Sequence, residues 1–218
     1  MNPLLARLGE QSAVRSAAGL TRVLSPRGVG PDALDLAGND YLGLARHPRV
    51  AAAAAEAACR WGAGVGASRL VTGSLTLHAE LEAALAELCS QGAALVFSSG
   101  YLANLGVVTA LAGRDTLVVS DAHVHASLVD ACRLSRARVQ VVPHGDVDAV
   151  ADALAGRTES CALVLAESVY SVLGDAAPLA ALAGVTARHG AVLVVDEAHG
   201  VGVVGPRGAG LVEALGLA

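Results

Sequence analysis

The chain has no lysine: all 15 of its basic Lys/Arg side chains, in 218 residues, are arginines. Any chemistry that needs an ε-amine is therefore excluded from the residues given. Asp196-Glu197-Ala198-His199 spells the DEAH signature of nucleotide-driven helicases, but that class needs an upstream phosphate loop ending in Gly-Lys-Ser/Thr. Excess positive charge is also missing. The net charge of −5 gives no electrostatic reason to expect nucleic acid or an anionic membrane surface as a partner. No apolar run approaches the roughly 20 residues that span a bilayer. The opening "MNPLLARLGEQ" lacks the basic and long apolar regions of a secretory signal, so a cytoplasmic location is expected. Cys59, Cys89, Cys132 and Cys161 form no C-x-x-C pair, and they read as small buried hydrophobes in a reducing compartment. Aromatics are only 2% of the chain, so its bulk comes from Ala, Val and Leu, a mix suited to helices packed closely on a sheet.

What is present is a core-rich globular composition, 54% hydrophobic and 16% charged. "AAAAAEAAC" at 51–59 predicts a helix after Pro48. Leu77, Leu81, Leu85 and Leu88 predict another, with Thr76 as its N-cap. Short continuous apolar runs at 94–98, 117–120, 138–142, 162–166 and 191–195 predict strands buried on both faces. Asp146 caps a helical pattern that Gly156 ends, and Pro178 opens one that Gly190 ends. Strands alternating with helices imply a three-layer α/β fold with a mostly parallel sheet. Ligands of such sheets bind outside the carboxyl ends of the strands.

Four strand ends carry polar groups. After 94–98 the chain runs through Ser98, Ser99 and Gly100 into a helix at Tyr101, where main-chain N–H groups and the helix N-terminus favour a phosphate. Asp121, His123 and His125 follow the strand at 117–120, and His-x-His is also a metal-ligand spacing. Glu167, Ser168 and Ser171 follow a third strand, where turn and capping roles are the plainer reading. Asp196 ends the last strand, with His199 three residues on. A carboxylate there is costly without a cation or donor. Two readings remain: a metal-dependent hydrolase using His123, His125, Asp196 and His199, or a site for pyridoxal 5′-phosphate (PLP). For PLP, the helix start suits the phosphate and Asp196 suits the pyridine nitrogen. His125 suits the ring face, and Ser171 with His199 suits the phenolic oxygen.

The motifs "NDYLGL" (39–44), "GASRLVTGSLTLHAELE" (66–82), "SSGYLANLG" (98–106), "HASLVDA" (125–131), "GDAAPL" (174–179) and "VDEAHGVGVVG" (195–205) occur in an order that resembles the α-oxoamine synthases. These are fold-type-I PLP enzymes that condense an amino acid with an acyl thioester and release CO2. The resemblance covers nearly the whole chain. It implies that Gly100 and Tyr101 hold the cofactor, that His125 stacks on its ring beside the substrate, and that Ser171 contacts it. It further implies that Asp196 pairs with the pyridine nitrogen and His199 with the phenolic oxygen. His125 and Asp196 are then the catalytic candidates, and no metal is implied. Arg22 matches an arginine that contacts the acyl substrate, although Thr21 stands where a second basic residue is common. Glu197 receives no role.

The resemblance also implies a partition into an N-terminal segment, 1–45, and a PLP-binding large domain, 46–218. The rest of that domain, the lysine-bearing strand and a C-terminal small domain are expected to lie beyond Ala218, so that this portion would be inactive alone. The substrates implied are L-alanine and a pimeloyl thioester of coenzyme A or acyl carrier protein, used by a homodimer in biotin biosynthesis. The alternatives are another α-oxoamine synthase, such as one using glycine and acetyl-CoA, and a non-catalytic binding module.

Overall fold

A computed structural model describes residues 2–28 and 34–218. It divides into two compact units, Met1–Asn39 and Asp40–Ala218. In the first, helix α1 (Pro3–Ala17) starts where Asn2 Oδ1 accepts the Leu4 N–H at 2.9 Å and proline occupies the first turn. None of its residues is buried.

The second unit begins with helices α2 (Pro48–Trp61), α3 (Thr76–Leu88) and α4 (Gly100–Leu111). Strands then alternate with helices: β1 (Thr116–Asp121), α5 (Ala126–Ser135), β2 (Arg138–Val142), α6 (Val147–Ala155), β3 (Cys161–Glu167), α7 (Leu179–Arg188) and β4 (Val192–Asp196). The short helix α8 (Leu211–Ala214) follows. The four strands form one parallel sheet in the order β2-β1-β3-β4.

β1 and β3 occupy the middle and are almost wholly buried, as their unbroken apolar runs require. Side chains alternate along β3. Val164 and Ala166 border the same small cavity as Val150 of α6 and Leu182 of α7. Leu163 and Leu165, at the alternate positions, are buried as well, so both faces of β3 are covered. Asp146 caps α6 through its Oδ1, which accepts the Ala149 N–H at 2.8 Å, and Gly156 closes that helix. Pro178 occupies the N-cap position of α7.

Four expectations need correction. β2 and β4 flank the central pair instead of sharing its burial: Val139, Val141 and Val192 are exposed. Residues 94–98 are not a strand. The Val96 N–H is taken by Glu82 Oε1 at 2.8 Å and its carbonyl by Arg69 Nη1 at 3.2 Å, so a side-chain clamp holds the segment without a ladder. The bidentate Arg69 guanidinium, helped by the Val96 N–H, brings the Glu82 carboxyl down to about 2. Thr76 is the first helical residue of α3, not its cap: the Leu75 N–H is accepted at 3.0 Å by His78 Nδ1. The leucine stripe of α3 is only partly covered, with Leu77 and Leu81 exposed. Finally, Cys132 is buried in α5, but Cys59 on α2 and Cys161 at the entry to β3 are exposed. α2 has no buried residue, which explains the first of these.

Candidate functional site

The strand order sets where a ligand fits. The chain leaves β1 for its neighbour β2, returns past β1 to form β3, and moves outward to β4. The crevice of such a sheet opens between β1 and β3, beyond their carboxyl ends. His125, the N-cap of α5, follows β1; Ser171 follows β3; Asp196 is the last residue of β4.

One hydrogen-bonded chain joins the His125 and Asp196 segments through α4. Asn104 lies one helical turn after Gly100 on α4 and therefore on the same face. Its Nδ2 donates to Asp196 Oδ2 at 2.7 Å and to Ser127 Oγ at 2.9 Å, which uses both amide protons. Ser127 is fully buried, and its hydroxyl meets His125 Nδ1 at 2.7 Å. That nitrogen also accepts the Ser127 N–H at 3.2 Å. With Nδ1 an acceptor, a neutral His125 carries its proton on Nε2. Asp196 Oδ1 accepts the Ala198 N–H at 2.9 Å. A carboxylate offers about four lone-pair sites, so Asp196 keeps capacity for a further donor.

Other groups around this chain are also unspent. Ser99 Oγ caps α4 by accepting the Leu102 N–H at 3.2 Å. The N–H groups of Gly100 and Tyr101 meet no acceptor among the described residues. A Cβ on Gly100 would find nothing within 4 Å, so the helix start lies open. The Tyr101 hydroxyl donates to Asp130 Oδ2, and its ring stands edge-on to His125 with centroids 6.5 Å apart. His199 Nδ1 lies 2.7 Å from the Tyr41 hydroxyl. With that hydroxyl donating, Nε2 holds the ring proton and is a donor.

Glu167 sits beside Asp196 in the β3–β4 register and is 2% exposed. Its Oε2 accepts the Ser171 N–H at 3.0 Å, while Oε1 has no partner among the described residues. Burial, and then the neighbouring Asp196 charge, raises its carboxyl above the ordinary range against the Ser171 donor.

A second cluster lies nearby. His144 bonds Asp121 Oδ1 through Nδ1 and Asp175 Oδ2 through Nε2, each at 2.9 Å. Asp121 also accepts the His123 N–H at 2.7 Å and the Gly145 N–H at 2.8 Å. The His123 ring stacks on His144 with centroids 4.1 Å apart. The Asp121 bond raises the His144 pKa, with burial opposing and Asp175 assisting. Burial alone would raise Asp121, but the Gly145 and His123 donors and His144 leave it lowered.

The candidate residues thus fall into groups. His125 and Asp196 share one hydrogen-bonded network through Ser127 and Asn104. Tyr101 stands edge-on to His125, Gly100 lies one helical turn before Asn104, and Glu167 brings Ser171 into register beside Asp196. His199 follows Asp196 on the same turn. His123 belongs to the second cluster, and among the described residues no group of three or more His, Cys, Asp or Glu can hold a metal. The four residues of the metal-hydrolase reading bond to separate partners. Arg22 lies exposed in the Met1–Asn39 unit. Sequence reasoning passed over Asn104, Ser127 and Tyr41, although all three stand inside the quoted motifs. Their spacing held a signal: Asn104 is four residues after Gly100, and Ser127 is two after a helix-capping histidine.

The donor set fits PLP. It offers an anion-accepting helix start, a carboxylate with a free lone pair, an imidazole beside the crevice, and a histidine with a free N–H.

Comparison with known proteins agrees. The profile of aminotransferase class I and II matches residues 31–216. The 8-amino-7-oxononanoate synthase of Mycolicibacterium gilvum is 58% identical over 214 residues, 98% of this chain and 56% of its own. Its counterpart in Mycolicibacterium smegmatis is also 58% identical over the same shares. The chain spans about half the length of the curated relatives it matches. Among solved structures, a serine palmitoyltransferase from S. paucimobilis with bound PLP-myriocin superposes with a TM-score of 0.87. It is 35% identical, over 99% of this chain and 58% of that one. The 8-amino-7-oxononanoate synthase of Francisella tularensis gives 0.70 at 26% identity, over 83% of this chain and 50% of that one. With most of its length matched by the profile, the chain belongs to the aminotransferase class I and II family.

Proposed function

We propose that this chain carries the cofactor-binding part of an enzyme that condenses L-alanine with a pimeloyl thioester to give 8-amino-7-oxononanoate. In this reading it acts as a cytoplasmic homodimer in biotin biosynthesis. The observation that carries the proposal is the strand-end carboxylate of Asp196, oriented by Asn104 with capacity left for one more donor. The 58% identity to named 8-amino-7-oxononanoate synthases supports that substrate class.

When bound, PLP supplies an electron sink for the bonds broken at the amino acid's α-carbon. The residues of this chain do the rest of what it contributes. Asp196 accepts the pyridine N–H and holds that proton in place. Gly100 and Tyr101 give main-chain N–H groups to the phosphate at the start of α4. His199, through Nε2, and Ser171 donate to the phenolic oxygen. His125 would face the cofactor ring, and Ser127 and Asn104 fix its tautomer so that Nε2 carries the proton it could offer there. Arg22 is proposed to meet the acyl carrier or chain. The acyl group rides on coenzyme A or acyl carrier protein.

A second reading is a serine palmitoyltransferase-like activity, favoured by the higher TM-score of that neighbour. TM-score reports backbone agreement, whereas substrate choice depends on side chains, so the 58% identity weighs more. A chimera separates the two: this chain replaces the matching portion of the M. smegmatis enzyme. Formation of 8-amino-7-oxononanoate from L-alanine and pimeloyl-CoA is the expected result. A chimera that binds PLP but condenses only serine with palmitoyl-CoA would overturn the first reading.

A further inference from the structure

The turn after β4 contains one ionisable side chain that the cofactor reading leaves unused, Glu197, and its surroundings are specific. Its Oε2 accepts the Ser168 hydroxyl at 2.6 Å, and its Oε1 accepts the Val212 N–H at 2.7 Å. Ser168 is fully buried and is the first residue after β3. The slot around the carboxylate exists only because two neighbours are glycines. A Cβ on Gly200 would fall 1.8 Å from Glu197 Oε2 and 2.7 Å from Ser168 Oγ. One on Gly210, whose φ is +98°, would fall 2.8 Å from the carboxylate.

The main chain closes around the same contact. The Glu197 carbonyl accepts the Gly200 N–H at 3.0 Å and the Val201 N–H at 3.1 Å, and His199 lies within that turn. On the other side, the Ser168 N–H donates to the Asp196 carbonyl at 2.8 Å. The Ser168 carbonyl accepts the Ala177 N–H at 3.0 Å, which closes the loop containing Ser171. The Ser168–Glu197 contact is therefore the side-chain bridge between the loop that bears Ser171 and the turn that bears His199.

We infer that Glu197 and Ser168 form a positioning pair that fixes His199 and Ser171 relative to each other, and so sets the two hydrogen bonds to the cofactor's phenolic oxygen. Neither residue of the pair touches the ring. The inference rests on the cofactor reading above, in which His199 and Ser171 are those donors. It also explains the two glycines: each leaves room for one carboxylate.

The test is a PLP titration of the whole chain, followed by the absorption band of the bound cofactor and by the 15N shifts of the His199 imidazole. Removing either partner, in Glu197→Ala or Ser168→Ala, should weaken PLP binding about tenfold, one hydrogen bond's worth. It should also move the band, because the phenolic oxygen loses a placed donor. Glu197→Gln should recover affinity to within about twofold: its carbonyl still accepts the Val212 N–H, and its amide donates to a Ser168 hydroxyl that turns to accept. Gly200→Ala should reproduce the Glu197→Ala band, and the double variant should be no worse than either alone.

A merely structural Glu197 would lower the melting temperature and leave the band and the His199 shifts in place; that result overturns the inference. So does a Glu197→Gln variant as impaired as Glu197→Ala. If Glu197→Ala does not fold, Ser168→Ala decides by the same two readouts. A wild-type chain that takes up no PLP would instead sink the cofactor reading itself.

Discussion

Two polar clusters stand beyond the carboxyl ends of the sheet, and they differ in how fully they satisfy themselves. Around His144 the ring is bonded at both nitrogens and Asp121 accepts at both oxygens, although the buried Tyr170 hydroxyl, on a ring edge-on to His144, has no hydrogen-bond partner among the described residues. Around Asp196 the network stops short. The carboxylate keeps a lone pair, and among the described residues the Gly100 and Tyr101 N–H groups meet no acceptor and Glu167 Oε1 has no partner. A buried polar group left unpaired costs about 1–3 kcal/mol. Among the groups on this rim Glu167 is buried and bears that cost, while the Gly100 and Tyr101 N–H groups stand at an exposed helix start that a ligand can reach.

Substitutions can break that contrast. The largest effect is expected for Asp196→Ala, which removes the carboxylate proposed to face the pyridine nitrogen. PLP affinity should fall about 100-fold or more, near 3 kcal/mol, in a fluorescence titration. Asn104→Ala leaves Asp196 in place without its orienting donor, and about tenfold is expected, the cost of one hydrogen bond to a charged group. Ser127→Ala removes a neutral bond to His125. About threefold is expected, together with a change in the His125 15N shifts as the tautomer loses its support.

The closed cluster should respond differently. His144→Gln should change PLP affinity by less than about twofold while destabilising the chain by about 1 kcal/mol. The sign of its pH dependence follows from the raised His144 pKa. Stability from the protonated ring is fully present below the unfolded value of about 6.5 and is lost as pH rises through the higher folded value. Urea midpoints of the wild type should therefore fall over that window, and those of His144→Gln should be flat. A His144→Gln variant that loses PLP binding but keeps its stability would reverse the two assignments.

How much of this was legible in the sequence depended on burial. β1 and β3 were read closely because their continuous apolar runs match central strands. β2 and β4 were read as strands, but their exposure was missed: position in a sheet is a long-range property that a run of five residues does not encode. The segment 94–98 has a strand's composition, yet Glu82 and Arg69 satisfy Val96, and nothing local announces that clamp. Thr76 looked like a cap, and the His78 ring took that role from within the helix. In the site, the carboxylate and histidines were visible as costly polar residues at apolar strand ends. Asn104, Ser127 and Tyr41 were not, because amides and hydroxyls are common and only the fold shows whom they meet. Glu197 stood in plain view, but its partners Ser168 and Val212 are 29 and 15 residues away.

The central claim is that Asp196 holds a protonated pyridine nitrogen. It is tested most directly with PLP labelled with 15N at that position, bound to the chain and observed by NMR. The shift should be that of a protonated ring nitrogen in the wild type, including above the pH at which free PLP deprotonates, and should revert in Asp196→Ala. An unprotonated shift in the bound wild type, or the same protonated shift in both proteins, would contradict the account.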